Sequence, residues 1–568
     1  WSWVALETFP DYARRHDWRS QGEVHVPLKE TRIRQRNLTV AGVLVSDLLD
    51  RGITVSEISA MDQPIDVNTE TIAAFVGRTL RGPLNTPVLI TNTGEFRRRF
   101  GDAEWEEGIG PAVCDFFDHG GRQLYVVRVA NNARGAMICL PADGSALVLR
   151  ALEPGSREVL RAAVDYDTVA SPEQFNLTLQ RIDGVSGLVI DQEYFRQVSY
   201  LQDEPGFVGD ALDASRMARV ECPLPTSRPE ATVGLDVRIG VEYIGATQAG
   251  SDGAALSDYD IVGSRTERTG IFALDGVERL DILYLPPFGR TVDIGPASVL
   301  AAEQYSRERG AVLVTDPRAD WEDAEAAVLG IRKYGYASPN MLGYFPRVVD
   351  SHDADKRPRA IGGAIAGLLA KHDRKHGPWT SVDQQCLWLR RRYQPGVDID
   401  VVDQRLLGRA GLNRLIVDST RRLRLAGDRT LAHGSEPHFR CSHLPVRRLC
   451  LGVVHAIDAA TRWAVFEQPG PRLALKVKAQ VVACLAQLHD LGALADADFY
   501  VSCQAESSAP LSRQRIELLL SFTPTGCPRP VSLTLHQSAA GCGVGTSAFA
   551  PAEDGGDLYV GPARPAIA

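Results

Sequence analysis

The chain has 568 residues, 44% apolar and 23% charged, with 71 acidic against 62 basic residues and a net charge of -9. That balance belongs to a folded globular protein, and the length exceeds what one hydrophobic core usually organises, so several domains are expected. Without a dense Lys/Arg block, binding along nucleic acid is disfavoured, because such binding rests mainly on phosphate neutralisation.

Residues 1–50 are charged and aromatic with weak periodicity and read as an N-terminal extension. The opening WSWVALETFPDYARRHDW lacks a signal-peptide pattern, and no apolar run approaches a membrane span, so a cytosolic protein is expected. After Gly52, Ile53 and Val55 alternate with Thr54 and Ser56 as in a strand, one with no sequence-adjacent partner. From Thr71 the pattern becomes α/β. AAFVG, PVLITN and the nearly continuous apolar run QLYVVRVA predict strands, with helices over EFRRRF and IGPAVCDFFDHGG between them.

Residues 135–265 are rich in Gly, Pro, Ser and Asp, with isolated strand-like runs such as FNLTLQRI and SGLVID, and read as a β-rich insertion. The alternation then resumes. LDILYLPP, AVLVTDP and MLGYFPRVVD predict strands, and PASVLAAEQYSRERG and DWEDAEAAVLGIRKYG predict helices, the second with Asp320 as N-cap, Trp321, Ala324, Val328 and Ile331 as its apolar stripe, and Gly335 as its stop. Such alternation implies a parallel sheet covered by helices. A third region, 379–537, holds a helix over LALKVKAQVVACLAQLHDLG with Val477, Val481, Cys484 and Leu488 on one stripe. Two alternating strands follow, over Ile516–Phe522 and over Val531, Ser532, Leu533, Thr534 and Leu535. Beyond Ser538 the chain is Gly/Ala/Pro-rich and is expected to be flexible or laid on the surface.

Few residues ask for a chemical role. The ten cysteines contain no Cys-x-x-Cys pair and read as reduced packing residues. IGGAIAG at 361–367 does not match G-x-G-x-x-G and carries no Lys-Ser/Thr, so close helix packing is the better reading than nucleotide binding. His372 and His376 lie four apart, but Lys371, Arg374 and Lys375 would repel a metal ion, which favours a polar surface or inter-subunit segment. No catalytic constellation, metal site or cofactor is expected.

TIAAFVGRTLRGPLNTPVLITNTGEFRRRFG followed by AVCDFFDHGGRQLYVVRVA resembles the opening of the contractile tail sheath core of phages and contractile injection systems. The matching features are Phe75-Val76-Gly77, Gly82-Pro83, Thr86-Pro87, Phe100-Gly101, Phe117 with Gly120-Gly121, and Tyr125 to Val129. Further similarity lies in GSDG at 250–253, RTGIFALDGVERLDILYLPP at 268–287, HDRKHGPW at 372–379 and RWAVFEQPGPRL at 462–473, so the resemblance covers roughly 51–537. Two departures concern the family's Pro-Gly-Val-Tyr-Val-Glu-Glu arm, here Arg51-Gly52-Ile53-Thr54-Val55-Ser56-Glu57, and its Phe-Glu-Pro-Asn, here Phe466-Glu467-Gln468-Pro469.

The resemblance implies a multidomain α/β fold: an N-terminal extension and arm (1–66), a first core segment (67–134), a β-rich outer domain (135–265), a second core segment (266–378), a C-terminal domain with a terminal strand arm (379–537) and a tail (538–568). It implies a structural subunit, not an enzyme, that polymerises helically around an inner tube protein and meets baseplate and terminator proteins, with no direct contact to nucleic acid or membrane. Assembly would take place in the bacterial cytoplasm, into a virion tail or phage-tail-like particle. Strand exchange between neighbours is expected at Ile53, Thr54, Val55 and Ser56 and at Val531, Ser532, Leu533, Thr534 and Leu535, and contact with an acidic tube at Arg472, Lys476 and Lys478. The rival readings are a non-contracting cap or baseplate protein of sheath-like fold and an α/β nucleotide-binding enzyme.

Overall fold

A computed structural model of the chain describes residues 3–8, 39–40, 43–44, 53–58, 65, 69–105, 107–168, 173–184, 186–232, 242–432, 442–468, 470–505, 516–527, 529–538 and 541–548. They fall into two units, residues 1–68 with 452–568, and residues 69–451.

The larger unit is organised by strand Ile72–Gly77, whose residues are apolar on both sides. Ala73 and Phe75 enter one buried cluster and Ala74 and Val76 another. Such a strand needs cover on both faces, which is the condition of a parallel sheet. It lies inside an eight-stranded sheet in the order Leu423–Ala426, Asn413–Val417, Met341–Phe345, Val312–Thr315, Ile282–Tyr284, Ile72–Gly77, Gln123–Arg128, Val88–Ile90. The six inner strands run parallel and the two edge strands antiparallel. Helices Thr93–Phe100, Gly110–Asp118 and Gly362–His376 supply one face with Phe96, Phe116 and Ile365. Helices Pro296–Arg309 and Ala324–Tyr334 supply the other with Val299, Tyr305 and Val328.

Helix Gly362–His376 crosses Gly110–Asp118 at close range because its glycines admit the neighbouring backbone. A Cβ at Gly363 would sit 2.3 Å from the Ala112 carbonyl oxygen, and one at Gly367 would sit 2.3 Å from that of Phe116. Those atoms are main chain and cannot rotate away. Gly367→Val is therefore expected to force the helices apart and cost about 1–3 kcal/mol, read as a lowered urea midpoint. Gly408→Ala, where a Cβ meets nothing within 4 Å, serves as the control and is expected to leave the midpoint unchanged or slightly raised.

Between strands Gln123–Arg128 and Ile282–Tyr284 the chain builds a second core. Strands Gly135–Ala142, Ser145–Pro154 and Ala218–Glu221 form one antiparallel sheet, and Glu158–Asp165, Gln174–Asp183, Val189–Ser199 and Ile244–Gly245 form another. Ile138, Leu140, Leu147 and Leu149 of the first bury against Leu160, Val164, Phe175 and Leu177 of the second, as in a sandwich. By residue 258 the chain has rejoined the α/β core. Ile261 is buried there, and the Asp258 carboxylate accepts from the Gly295 N–H and the Ser298 hydroxyl, each at 2.9 Å.

Some expectations need correction. Asp323, not Asp320, caps helix Ala324–Tyr334, accepting from the Ala326 N–H at 2.7 Å, while Trp321 is buried beside it. Asn413–Val417 and Leu423–Ala426, in the region read from sequence as 379–537, complete the large sheet. Helix Leu444–Thr461 with the turn that follows is long and apolar enough to cross a membrane by length and composition, contrary to the reading of the sequence. Leu449, Cys450, Val453 and Ile457 along it are buried within the protein.

In the smaller unit, helix Pro471–Asp490 buries Leu473, Val477, Val481, Cys484, Leu485 and Leu488 on one stripe. It packs on strand Tyr500–Ala505, the first of a four-stranded antiparallel sheet continued by Ile516–Phe522, Val531–Ser538 and Gly541–Ala548.

Candidate assembly interface

The alternation of Ile516–Phe522 and Val531–Ser538 gives their sheet two unlike faces. Ile516, Leu518, Leu520, Phe522, Val531, Leu533 and Leu535 are buried, while Glu517, Leu519, Ser532 and Thr534 lie on the other side. Strand Val531–Ser538 is paired along both edges within this chain. Val531, Leu533 and Leu535 face Phe522, Leu520 and Leu518, and on the other side Leu533, Thr534 and Leu535 face Ser547, Thr546 and Val544. The residues picked from the sequence for exchange, Val531 to Leu535, thus occupy the interior of a sheet in the single chain.

The outer edges belong to Tyr500–Ala505 and to Gly541–Ala548. The latter, Gly-Cys-Gly-Val-Gly-Thr-Ser-Ala, lies in the stretch read from sequence as flexible or surface-laid tail, and its pairing is irregular opposite Thr534 and Leu535. Three of its eight residues are glycine, which costs backbone entropy and supplies no side chain to fix a register. Strand Ile53–Ile58 exists as expected but has a partner in its own chain. It pairs antiparallel with Trp3–Thr8, from Ile53 opposite Thr8 to Ile58 opposite Trp3, with Thr54, Val55 and Ser56 between.

The three cations proposed for tube contact do not form one patch. Arg472 and Lys476, four residues apart, are exposed on helix Pro471–Asp490 beside Leu475, which is 66% exposed, and the Lys476 ammonium lies 5.9 Å from the Trp463 ring centre. Lys478 sits on the flank towards strand Tyr500–Ala505. Burial pushes the Cys503 thiol there up to about 11, and the Lys478 charge opposes that rise.

The motifs that invited enzymatic readings resolve into packing. His372 is buried and not on the surface, 3.4 Å from the Asp373 carboxylate, whereas His376 is exposed. Asp373 is held by Arg448, whose Nη1 donates at 2.7 Å while Nη2 donates to the second carboxylate oxygen, and by the Thr71 hydroxyl. Among the described residues no group of three or more His, Cys, Asp or Glu is placed to hold a metal ion. At IGGAIAG, the N-terminus of helix Gly362–His376 already has an anion, the Asp316 carboxylate, which accepts from Gly362 N–H at 2.9 Å, Ile361 N–H at 3.2 Å and the Tyr284 hydroxyl at 2.5 Å.

No protein-family model and no curated protein matches the sequence. Solved structures do. The sheath tail protein Lin1278 of Listeria innocua superposes with a TM-score of 0.55 at 12% identity, over 84% of this chain and 97% of that one. A sheath tail protein of Desulfitobacterium hafniense gives 0.49 at 13% identity over 84% and 98%, and the helical sheath of the anti-feeding prophage in its contracted state gives 0.47 at 14% over 82% and 94%. On the first of these the chain has the fold of a sheath tail protein, a mixed α/β architecture matched along most of its length.

Proposed function

We propose that this chain, which has the fold of a sheath tail protein, is a structural subunit of a contractile sheath that polymerises around an inner tube and shortens to drive it forward. The observation that carries the reading is the match to Lin1278 along 97% of that protein. An open helix requires head-to-tail contact between two different surfaces. One is supplied by strand Gly541–Ala548, whose departure opens an edge on Val531–Ser538; the other is the antiparallel pair of Trp3–Thr8 and Ile53–Ile58. Backbone hydrogen bonding between borrowed strands then links neighbours while the α/β units rotate as bodies.

No bond need be made or broken. If the shortened lattice buries an additional ~400 Å2 of apolar surface per subunit, about 10 kcal/mol per subunit becomes available at ~25 cal/mol per Å2. Arg472 and Lys476 are the favoured contacts to an acidic inner tube, with Lys478 to one side. Assembly belongs to the bacterial cytoplasm, in a virion tail or phage-tail-like particle completed by baseplate and terminator proteins.

Electron microscopy of the chain co-expressed with its neighbouring tube gene tests this. Long filled tubes or short wide cylinders are expected; dispersed monomers, or decoration of one particle end alone, would contradict it. Arg472→Glu with Lys476→Glu is expected to reduce co-sedimentation with the tube several-fold while empty cylinders still form.

A further inference from the structure

The buried arginines Arg448, Arg347 and Arg359 of the larger unit meet the carboxylates of Asp373, Asp293 and Asp115. Four arginines with no such partner are gathered in one place. Arg405 and Arg409, one turn apart on helix Val401–Arg409, Arg414 on strand Asn413–Val417, and Arg429 just beyond strand Leu423–Ala426 line one open cavity of about 310 Å3 together with Gln404 and Asn413. Among the described residues none of the four makes an ion pair with a carboxylate. The nearest acidic side chain in sequence, Asp428, is engaged by His443 and by the Ser381 hydroxyl at 2.8 Å, and those contacts, more than Arg429, hold its carboxyl below the usual range.

Some of the cluster has a structural use. Arg414 Nη1 donates to the Gln404 carbonyl at 3.1 Å and Arg429 Nη1 to the Gly408 carbonyl at 3.0 Å, the latter a carbonyl of the helix's last turn. These bonds fix two guanidinium planes and use one of the five donors on each. Arg405 and Arg409 are exposed and are not tied in this way. Four like charges around one hollow repel one another, and the arrangement is relieved when a multivalent anion enters. Guanidinium forks match phosphate and carboxylate oxygens two at a time.

We propose that this cavity binds a multivalent oxyanion, of the phosphate or clustered-carboxylate class. The site stands on the single chain and does not depend on the sheath reading. Such oxyanions could come from a soluble polyphosphate or from an acidic segment of a second copy, for which the exposed Asp320, Glu322, Asp323 and Glu325 run has matching charge.

Titration calorimetry on the full chain at constant ionic strength tests the site, using sodium tripolyphosphate, a peptide of residues 319–326, and sodium chloride as control. Saturable binding of either oxyanion is expected, weakened about tenfold or more in Arg405→Gln with Arg409→Gln, a pair that leaves the Arg414 and Arg429 bonds in place. Tripolyphosphate alone would identify a soluble ligand, and the peptide a second copy; both support the site. Equal affinity in the double variant, or no saturable binding of either, would overturn it. Arg405→Lys with Arg409→Lys, which keeps charge and loses the fork, is expected to fall between the two.

Discussion

A chain ending at Ser538 is expected to fold, to stay monomeric and to form no cylinders when co-expressed with the tube. The strand it loses is expected to contribute little to the stability of its sheet. Gly541, Gly543 and Gly545 each sacrifice about 0.5–1 kcal/mol relative to alanine, and an edge strand is paired along one side only. The sheet keeps Tyr500–Ala505, Ile516–Phe522 and Val531–Ser538, with the buried row Leu518, Leu520, Leu533 and Leu535 intact. Thermal unfolding followed by circular dichroism should therefore move by only a few degrees, since ~1 kcal/mol shifts Tm by roughly 2–4 °C in a domain of about 150–250 residues and by less in a longer chain. Assembly depends on the same strand in a different way, because each subunit needs an element it can give up. Loss of cylinders with an unchanged melt separates exchange from stability. Cylinders formed by the shortened chain would show that the strand is not the link.

The second large effect lies inside the larger unit. Asp373→Asn keeps the shape of the side chain and removes its charge, leaving buried Arg448 without its partner. The cost expected is ~3–5 kcal/mol. Burial works against the Asp373 carboxylate, but Arg448, His372 and Thr71 outweigh it and hold its pKa below the usual aspartate value. A lowered folded-state pKa means that the contribution is fully present above the unfolded value, about 3.9, and is lost as pH falls through the folded value. The wild-type chain should thus lose stability on acidification below about pH 4, and Asp373→Asn should lose this component of the slope. Asp373→Leu with Arg448→Met, which removes both charges, is expected to recover much of the loss in urea unfolding. No recovery would mean that the pair acts through more than its mutual charge.

The regions of the fold legible in the sequence are those whose environment dictates residue type. Strands such as Ile72–Gly77 and Gln123–Arg128 are covered on both faces and read as apolar runs, and Val477, Val481, Cys484 and Leu488 mark a buried helix stripe at regular spacing. The cap of helix Ala324–Tyr334 is ambiguous in sequence because Asp320 and Asp323 both precede an apolar stripe, and only the extended backbone at Asp323 lets a carboxylate reach the Ala326 N–H. Leu423–Ala426 does not read as a core strand because Arg422 and Arg424 interrupt its apolar residues, as an antiparallel sheet edge permits.

At the assembly surfaces, pairing rather than pattern is hidden. Ile53–Ile58 is readable as a strand, but its partner Trp3–Thr8 lies more than forty residues earlier, roughly a whole supersecondary unit away. Gly541–Ala548 carries no β-branched alternation beyond Val544 and Thr546, so composition points to a tail. The signal that remains is the regular Gly-x-Gly-x-Gly spacing of Gly541, Gly543 and Gly545. Strand Val531–Ser538 stands out for exchange because it alternates cleanly, and that same alternation suits it to the interior of its sheet.

A high-resolution reconstruction of the assembled polymer tests the central claim most directly, by tracing the chain that lies along the free edge of Val531–Ser538. A neighbouring subunit's terminal strand should be found there, with residues 541–548 displaced from their own sheet. Subunits that each retain residues 541–548 on their own Val531–Ser538, packed side by side with no strand passing between them, would contradict the account.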